Sequence, residues 1–271
     1  MARPIWFVNL LKKYFPFRKK IAGWSRYAPV KMLMDTFLFN GDSMVYLPKD
    51  RVIVHEMIDL HENVMLPSKI VHHYIDQAKH HFIMNHCICR QGDDCQDYPK
   101  DLGCLFMGNA VLGINPKLGY EATKEEAHAH INRAQELGLV NLIGKNKLDS
   151  LWLGVGPGEN LMTVCNCCPC CCLFKILPDL PADIGQTITR MPGVHIHVNG
   201  NCIGCGKCTR EDVCFVEAIS MVNGKAAIDE NCRGCARCIE ICSQKAIMLE
   251  IQEQDYYDMT IEKINKKVIV T

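Results

Sequence analysis

The stretch C-I-G-C-G-K-C-T-R-E-D-V-C, Cys202 to Cys214, decides how this chain is read. Three cysteines recur at three-residue intervals, and a fourth follows after five more residues. Further on, C-R-G-C-A-R-C-I-E-I-C, Cys232 to Cys242, repeats the pattern with a three-residue gap before its last cysteine. Three thiolates at this spacing can wrap one iron–sulfur cube while the fourth reaches across to another. Gly204 and Gly234 hold matching places in the two loops, where glycine allows positive φ and a close approach of backbone amides to sulfur. Between the loops, A-I-S-M-V-N-G-K-A-A-I-D predicts two short strands about Asn223-Gly224, a strong hairpin signal. A-I-M-L-E-I, from Ala246, predicts a closing strand. Paired C-x2-C alone would also suit zinc; the tripled spacing, repeated, favours clusters.

Over roughly residues 193–251 the chain resembles the two-[4Fe–4S] bacterial-type ferredoxin domain. The resemblance implies that Cys202, Cys205, Cys208 and Cys242 hold one cluster, and that Cys214, Cys232, Cys235 and Cys238 hold the other. It departs from the family in the longer gap between Cys208 and Cys214, and in Phe215 and Ser243, which stand where proline usually follows the fourth cysteine.

Ten of the eighteen cysteines lie upstream: Cys87, Cys89, Cys95, Cys104, Cys165, Cys167, Cys168, Cys170, Cys171 and Cys172. Six of them crowd into C-N-C-C-P-C-C-C. Adjacent cysteines cannot readily meet the geometry of a disulfide, and thiolates select soft metals. The four in C-I-C-R-Q-G-D-D-C…G-C could close one cubane alone, or share ligands with the crowded run in a composite site. One or two further clusters are therefore expected, with ligands unassigned. Five thiols per cluster would be similar to the CCG-type cysteine-rich domains of heterodisulfide reductases, although Cys-Cys-Pro and Cys-Cys-Cys-Leu stand here in place of Cys-Cys-Gly. The wider layout, roughly residues 66–250, resembles a group of uncharacterised anaerobic ferredoxin-like proteins in Cys87–Arg90, Cys95, Cys104–Gly108, Gly138–Val140, Cys165–Cys172 and Cys202–Cys242. Arg90 could hydrogen-bond cluster sulfide or offset its charge, or pair with Asp93 or Asp94.

Eight of the 30 basic residues, and none of the 30 acidic ones, fall in residues 1–31. This arm interleaves charge with Trp6, Phe7, Tyr14, Phe15, Phe17, Trp24 and Tyr27. It could pack on its own domain or a partner subunit, or lie on a membrane surface; Pro16 interrupts any single long helix. No secretory signal or membrane-spanning run is legible, so a cytoplasmic, oxygen-sensitive protein is expected, with peripheral contact at the membrane face as an option.

Leu66–His86 reads as one amphipathic helix, from the spacing of Ile70, Val71, Tyr74, Ile75, Ala78, Phe82 and Ile83. His72, His73, His80 and His81 on it read as polar-face or half-buried residues rather than ligands. M-V-Y-L-P-K-D-R-V-I-V-H-E-M-I, from Met44, has strand-like stretches about Pro48. Thr123 and Glu126 form a capping box for a second helix, ended by Gly138. Residues 139–144, 150–156 and 160–164 then suggest strands, a helix-then-hairpin of winged-helix shape. The expected class is α+β: a basic aromatic arm (1–50), a mixed α/β cysteine-rich domain (51–180), a linker (181–192), a pseudo-twofold two-cluster ferredoxin-like domain (193–251) and a C-terminal tail (252–271).

Several clusters in one short chain imply an electron relay, or an electron-transfer subunit of an anaerobic oxidoreductase complex, with the arm docking it to a redox partner. The alternative is a redox enzyme whose upstream non-cubane cluster binds substrate or acts on thiols. No radical-AdoMet C-x3-C-x2-C, dinucleotide fingerprint or phosphate loop is present, and G-V-G-P-G-E-N lacks the phosphate-loop lysine. A DNA-binding regulator is disfavoured because the helix-hairpin segment has no basic cluster.

Overall fold

A computed structural model describes residues 2–52, 65–252 and 255–271. Seven strands form one mixed sheet: β1 (Ser43–Tyr46), β2 (His81–Met84), β3 (Leu105–Met107), β4 (Gly119–Ala122), β5 (Val140–Lys145), β6 (Met162–Cys167) and β7 (Ile188–Arg190). Their spatial order is β4-β2-β3-β6-β5-β1-β7. Neighbours run antiparallel except β1 and β7, which are parallel. The sequence places β5 and β6 near the middle because both are almost wholly buried, and a strand covered on both faces reads as a continuous apolar run. Gly144, at φ +142°, lies so close to the Ser43 carbonyl that a β-carbon would collide with it, which lets β1 pair tightly with β5.

The two-residue alternation of strands gives the sheet two different faces. Met162 and Val164 of β6 join one core with Val71 and Tyr74 from the helix Ser68–Gln77 and Ala127 and Ile131 from the helix Lys124–Glu136. Cys165 and Cys167 point the other way, beside Leu142 and Val140, into a second core with Met44, Tyr46, Phe174 and Ile176. One face of β6 thus meets the two helices and the other carries its cysteines.

The helix expected over Leu66–His86 ends at Gln77. The side chain of His81 turns back to the Ile75 carbonyl (Nε2 to O, 2.8 Å), Ala78 is extended, and Phe82 and Ile83 enter β2. Their helix-like spacing coincides with a fully buried strand, which periodicity alone does not distinguish. Ser150–Leu153, expected to be extended, lies in the helix Lys147–Leu153. Asn146 caps its start by accepting from Leu148 N (3.1 Å), and Gly154, at φ +70°, ends it. β5 and β6 are therefore joined through a helix and sit mid-sheet, so no winged-helix hairpin forms. The capping box at Thr123 and Glu126 and the left-handed Gly138 are present as expected. Of the strand-like stretch about Pro48, residues 53–64 lie outside the described residues.

The arm and the linker are built into the domain. The helices Ile5–Tyr14, Arg18–Trp24 and Ala28–Met34, broken at Pro16 by a 3-10 turn, pack on the sulfur-bearing side through Val8, Ala22 and Met34. Ser43–Tyr46, at the end of the arm, supplies β1, and Ile188–Arg190, within the linker, supplies β7. The tail forms the helix Tyr256–Asn265, held by Tyr74 Oη donating to Asn265 Oδ1 (2.9 Å).

Four shorter strands make two antiparallel pairs. β8 (Val194–Val198) pairs with β11 (Ile247–Ile251), and β9 (Ile219–Val222) pairs with β10 (Lys225–Ile228) about the left-handed Asn223 and Gly224. The two cysteine loops repeat one another in backbone conformation. Gly204 and Gly234 are left-handed, as are Gly206 and Ala236, and Glu217 and Lys245. Val194, Ile219, Ile247 and Leu249 share a core with Val45 and Ile143 of the large sheet, so the C-terminal region is packed on the rest of the chain.

Candidate metal centres

All eighteen cysteines carry free thiols, and the fold gathers them into four places. In the C-terminal region, Cys202, Cys205, Cys208 and Cys242 surround one small hollow, and Cys214, Cys232, Cys235 and Cys238 surround another. Each set combines three cysteines of one loop with the fourth of the other. Backbone amides point at the sulfurs in a repeated way: Ala218 N to Cys214 Sγ and Ala246 N to Cys242 Sγ, both 3.3 Å, each four residues after its cysteine. Ala226 N reaches Cys202 Sγ (3.4 Å) and Gly234 N reaches Cys232 Sγ (3.5 Å). Such donors stabilise thiolate over thiol. Burial works the other way on Cys232, pushing its thiol up to about 11; a bound cation would remove that cost by deprotonating the sulfur outright.

Upstream, Cys95, Cys168, Cys170 and Cys171 form a compact group whose sulfurs all lie within 4.8 Å of one another. The run C-N-C-C-P-C-C-C supplies three of the four by turning directly after β6, and Cys95 comes from the loop that follows the helix Ile88–Gly92.

The other six upstream thiols, Cys87, Cys89, Cys104, Cys165, Cys167 and Cys172, line a cavity of about 310 Å³ that Cys168 also borders. Cys104, just before β3, meets Cys165 of the neighbouring strand (Sγ–Sγ 3.9 Å), and Cys167 meets Cys172 (3.4 Å). The opposite wall is apolar and belongs to the arm: Leu11, Tyr14, Phe15, Ile21, Met34 and Phe39. The arm is fastened there by a two-pronged ion pair, Arg18 to Asp93 at 2.7 and 2.5 Å. Phe15 lies against Gly92, leaving no space for a β-carbon at that position.

Two buried arginines stand among the sulfurs. Arg90 is 1% exposed. It donates from Nε to the Pro99 carbonyl (2.8 Å), from Nη1 to the Asn166 carbonyl (2.7 Å) and from Nη2 to the Leu102 carbonyl. Pairing with Asp93 or Asp94 does not occur, because Asp93 takes Arg18 and Asp94 takes Lys100. Arg90 lies instead on the cavity wall. The hydrogen bond from Cys170, then the backbone amide of Cys171 and the charge of Arg90, hold the Cys168 thiol down to about 6 against its burial. Arg237, 4% exposed, donates to the Cys167 carbonyl, while its Nε and Nη1 are buried without a partner. Buried guanidinium donors left unpaired are costly, and the sulfurs of Cys235, Cys167 and Cys172 all lie near enough to act on this guanidinium electrostatically.

Sequence reasoning missed Arg237, Asn166, Tyr46 and Asp149. Asn166, between Cys165 and Cys167, is directed to the opposite face of β6 and donates to the Gly103 carbonyl (2.9 Å), tying the first cysteine loop to the strand. Tyr46 Oη meets Cys172 Sγ at 3.5 Å, and Asp149 accepts from Trp152 and Thr163 in the cavity wall. The legible signal was an arginine or asparagine embedded within a cysteine motif; Tyr46 and Asp149 are distant in sequence and gave none. The histidines meet other partners. His72 stacks on His128, His73 packs edge-on against Tyr257, His80 pairs with Glu121, and His81 caps a helix.

These donor sets fit metal centres: thiols gathered in fours and a six, amides aimed at sulfur, and arginine donors awaiting an acceptor. Searches of protein-family models, curated proteins and solved structures found no match to this chain.

Proposed function

We propose that the protein is a multi-cluster iron–sulfur electron carrier, working as a relay or as a subunit of an anaerobic oxidoreductase. The observation that carries this reading is Arg237, which joins the backbone beside the C-terminal cysteine sets to the backbone of the sulfur-lined cavity. Cys232 and Cys235 belong to the same core as Cys165, Cys167 and Cys172, so centres held in the two places would be neighbours.

In this account Cys202, Cys205, Cys208 and Cys242 hold one [4Fe–4S] cluster, and Cys214, Cys232, Cys235 and Cys238 hold a second. The six cavity thiols hold a third iron–sulfur centre. The clusters supply one-electron storage when bound; the chain's own residues supply ligands, amide donors, and the charges of Arg90 and Arg237 that oppose accumulation of negative charge. Cys205 is exposed and Ile203 beside it is 66% exposed, which makes the first set the port for a redox partner. The exposed outer face of the arm, with Trp6, Trp24 and Tyr27 among Lys13, Lys19, Lys20 and Arg26, suits an acidic partner surface. Among the described residues no helix is long and apolar enough to cross a membrane.

The alternative, a redox enzyme acting on substrate at the upstream centre, is favoured by the size of the cavity and its apolar wall. Substitution Cys205→Ala separates the two. A relay loses electron delivery to its partner while the spectroscopic signal of the upstream centre is unchanged. Direct perturbation of that signal by added thiols or small apolar substrates supports the enzyme instead.

A further inference from the structure

The upstream thiols differ in spacing, and spacing distinguishes a single ion from a cluster. Four sulfurs bound to one tetrahedral ion at about 2.3 Å stand roughly 3.8 Å apart. In a cubane each thiolate binds its own iron at a separate corner, which holds the sulfurs further apart. The sulfurs of Cys95, Cys168, Cys170 and Cys171 all fall within 4.8 Å of one another, with Cys95 and Cys170 at 3.4 Å. Among the described residues no other group of three or more cysteine, histidine or carboxylate ligands converges so closely, the eight C-terminal cysteines included.

We propose that Cys95, Cys168, Cys170 and Cys171 bind one tetrahedral Zn²⁺ ion rather than an iron–sulfur cluster. Three of the four are buried and the fourth is half-buried, so the site is closed, as structural four-cysteine zinc sites are, with no position left for water or substrate. A disulfide is a poorer use of these groups. It would consume only two thiols, and the 3.4 Å between Cys95 and Cys170 is far beyond a bond of about 2.05 Å. Four thiolates on a divalent ion leave a net negative centre, and the Arg90 guanidinium is placed beside Cys168 to offset it.

The ion ties two segments that the chain brings together from far apart, the loop holding Cys95 and the turn after β6. Cys168 belongs to this group and also borders the six-thiol cavity. The ion thereby adjoins the proposed cluster site without carrying electrons itself.

The test uses the full chain, purified without oxygen, with zinc and iron measured together. The expected result is about one zinc per chain, at least tenfold less zinc in Cys170→Ser, and unchanged iron content and cluster EPR signals in that variant. Zinc-edge X-ray absorption of the unaltered protein should show a shell of sulfur only, at about 2.3 Å, and does not depend on a variant folding. A protein without zinc, a first shell that contains nitrogen or oxygen, or loss of iron from Cys170→Ser would overturn the proposal. Zinc here with no iron anywhere would leave this inference standing while removing the electron-transfer reading.

Discussion

Arg237 Nη2 donates to the backbone carbonyl of Cys167, seventy residues earlier in the chain. Arg237 sits between Cys235 and Cys238, ligands expected for the second C-terminal cluster, while Cys167 lines the upstream cavity. One buried cation is thus held between two sulfur-rich sites, with Phe215 packed 5.7 Å from its guanidinium.

Substitution Arg237→Met should act on both sites. Losing the donor strands the Cys167 carbonyl, which costs about 1–3 kcal/mol, and losing the charge should make the midpoint potentials of the adjoining centres more negative. Arg237→Lys should recover part of the potential shift but less of the stability, because lysine lacks the planar fork. Denaturant titration and redox titration, both without oxygen, read the two effects separately. Unchanged potentials in Arg237→Met would confine the residue to a structural role.

The arm should protect the cavity. Asp93→Asn weakens the ion pair that fastens it, at a cost of about 1 kcal/mol for a partly buried pair. Gly92→Ala forces Phe15 off its seat. Both variants should lose visible absorbance to oxygen or to an iron chelator severalfold faster, with the upstream signal bleaching first. Bleaching rates equal to the unaltered protein would show that the arm does not gate access.

Asp42 gives the pH response. Burial raises its carboxyl to about 7, although Lys147 N donates to Oδ1 at 2.6 Å. An unfolded aspartate titrates near 3.9. The folded state therefore holds the proton more tightly, and the stability this group contributes is complete below about pH 4 and lost as pH rises through 7. Relative to Asp42→Asn, which keeps the acceptor and does not titrate, the unaltered protein should lose a few kcal/mol between pH 4 and 8, at roughly 1.4 kcal/mol per unit at most. Denaturation of both proteins across that range checks the sign.

The outer face of the arm should bind anionic surfaces through Lys19 and Lys20. Lys19→Glu with Lys20→Glu should weaken association with an acidic redox partner, and raising the salt should weaken it in the unaltered protein. Sedimentation with phosphatidylserine vesicles distinguishes a membrane from a protein partner.

What the sequence made legible was local. The paired strands about Asn223-Gly224, the closing strand from Ile247, the capping box at Thr123 and the repeated glycines of the cysteine loops all depend on residues a few positions apart. The lost features were those decided by distant partners. Phe82 and Ile83 carry helix-like spacing, yet they join a strand because β3 and β4 flank them. The division of ten upstream thiols depends on which face of β6 each residue meets and on a loop seventy-five residues away that brings Cys95 to Cys170. The arm's aromatic residues left open packing on the domain or contact with a partner or membrane surface; two of the seven, Tyr14 and Phe15, line the cavity, where the sulfur-bearing face of the sheet needed an apolar cover.

The most direct measurement is Mössbauer spectroscopy with iron and sulfide analysis on protein isolated without air. The account predicts brown material with about twelve irons per chain, eight of them in two ordinary four-iron clusters. Colourless protein holding zinc alone, or iron without acid-labile sulfide, would contradict it.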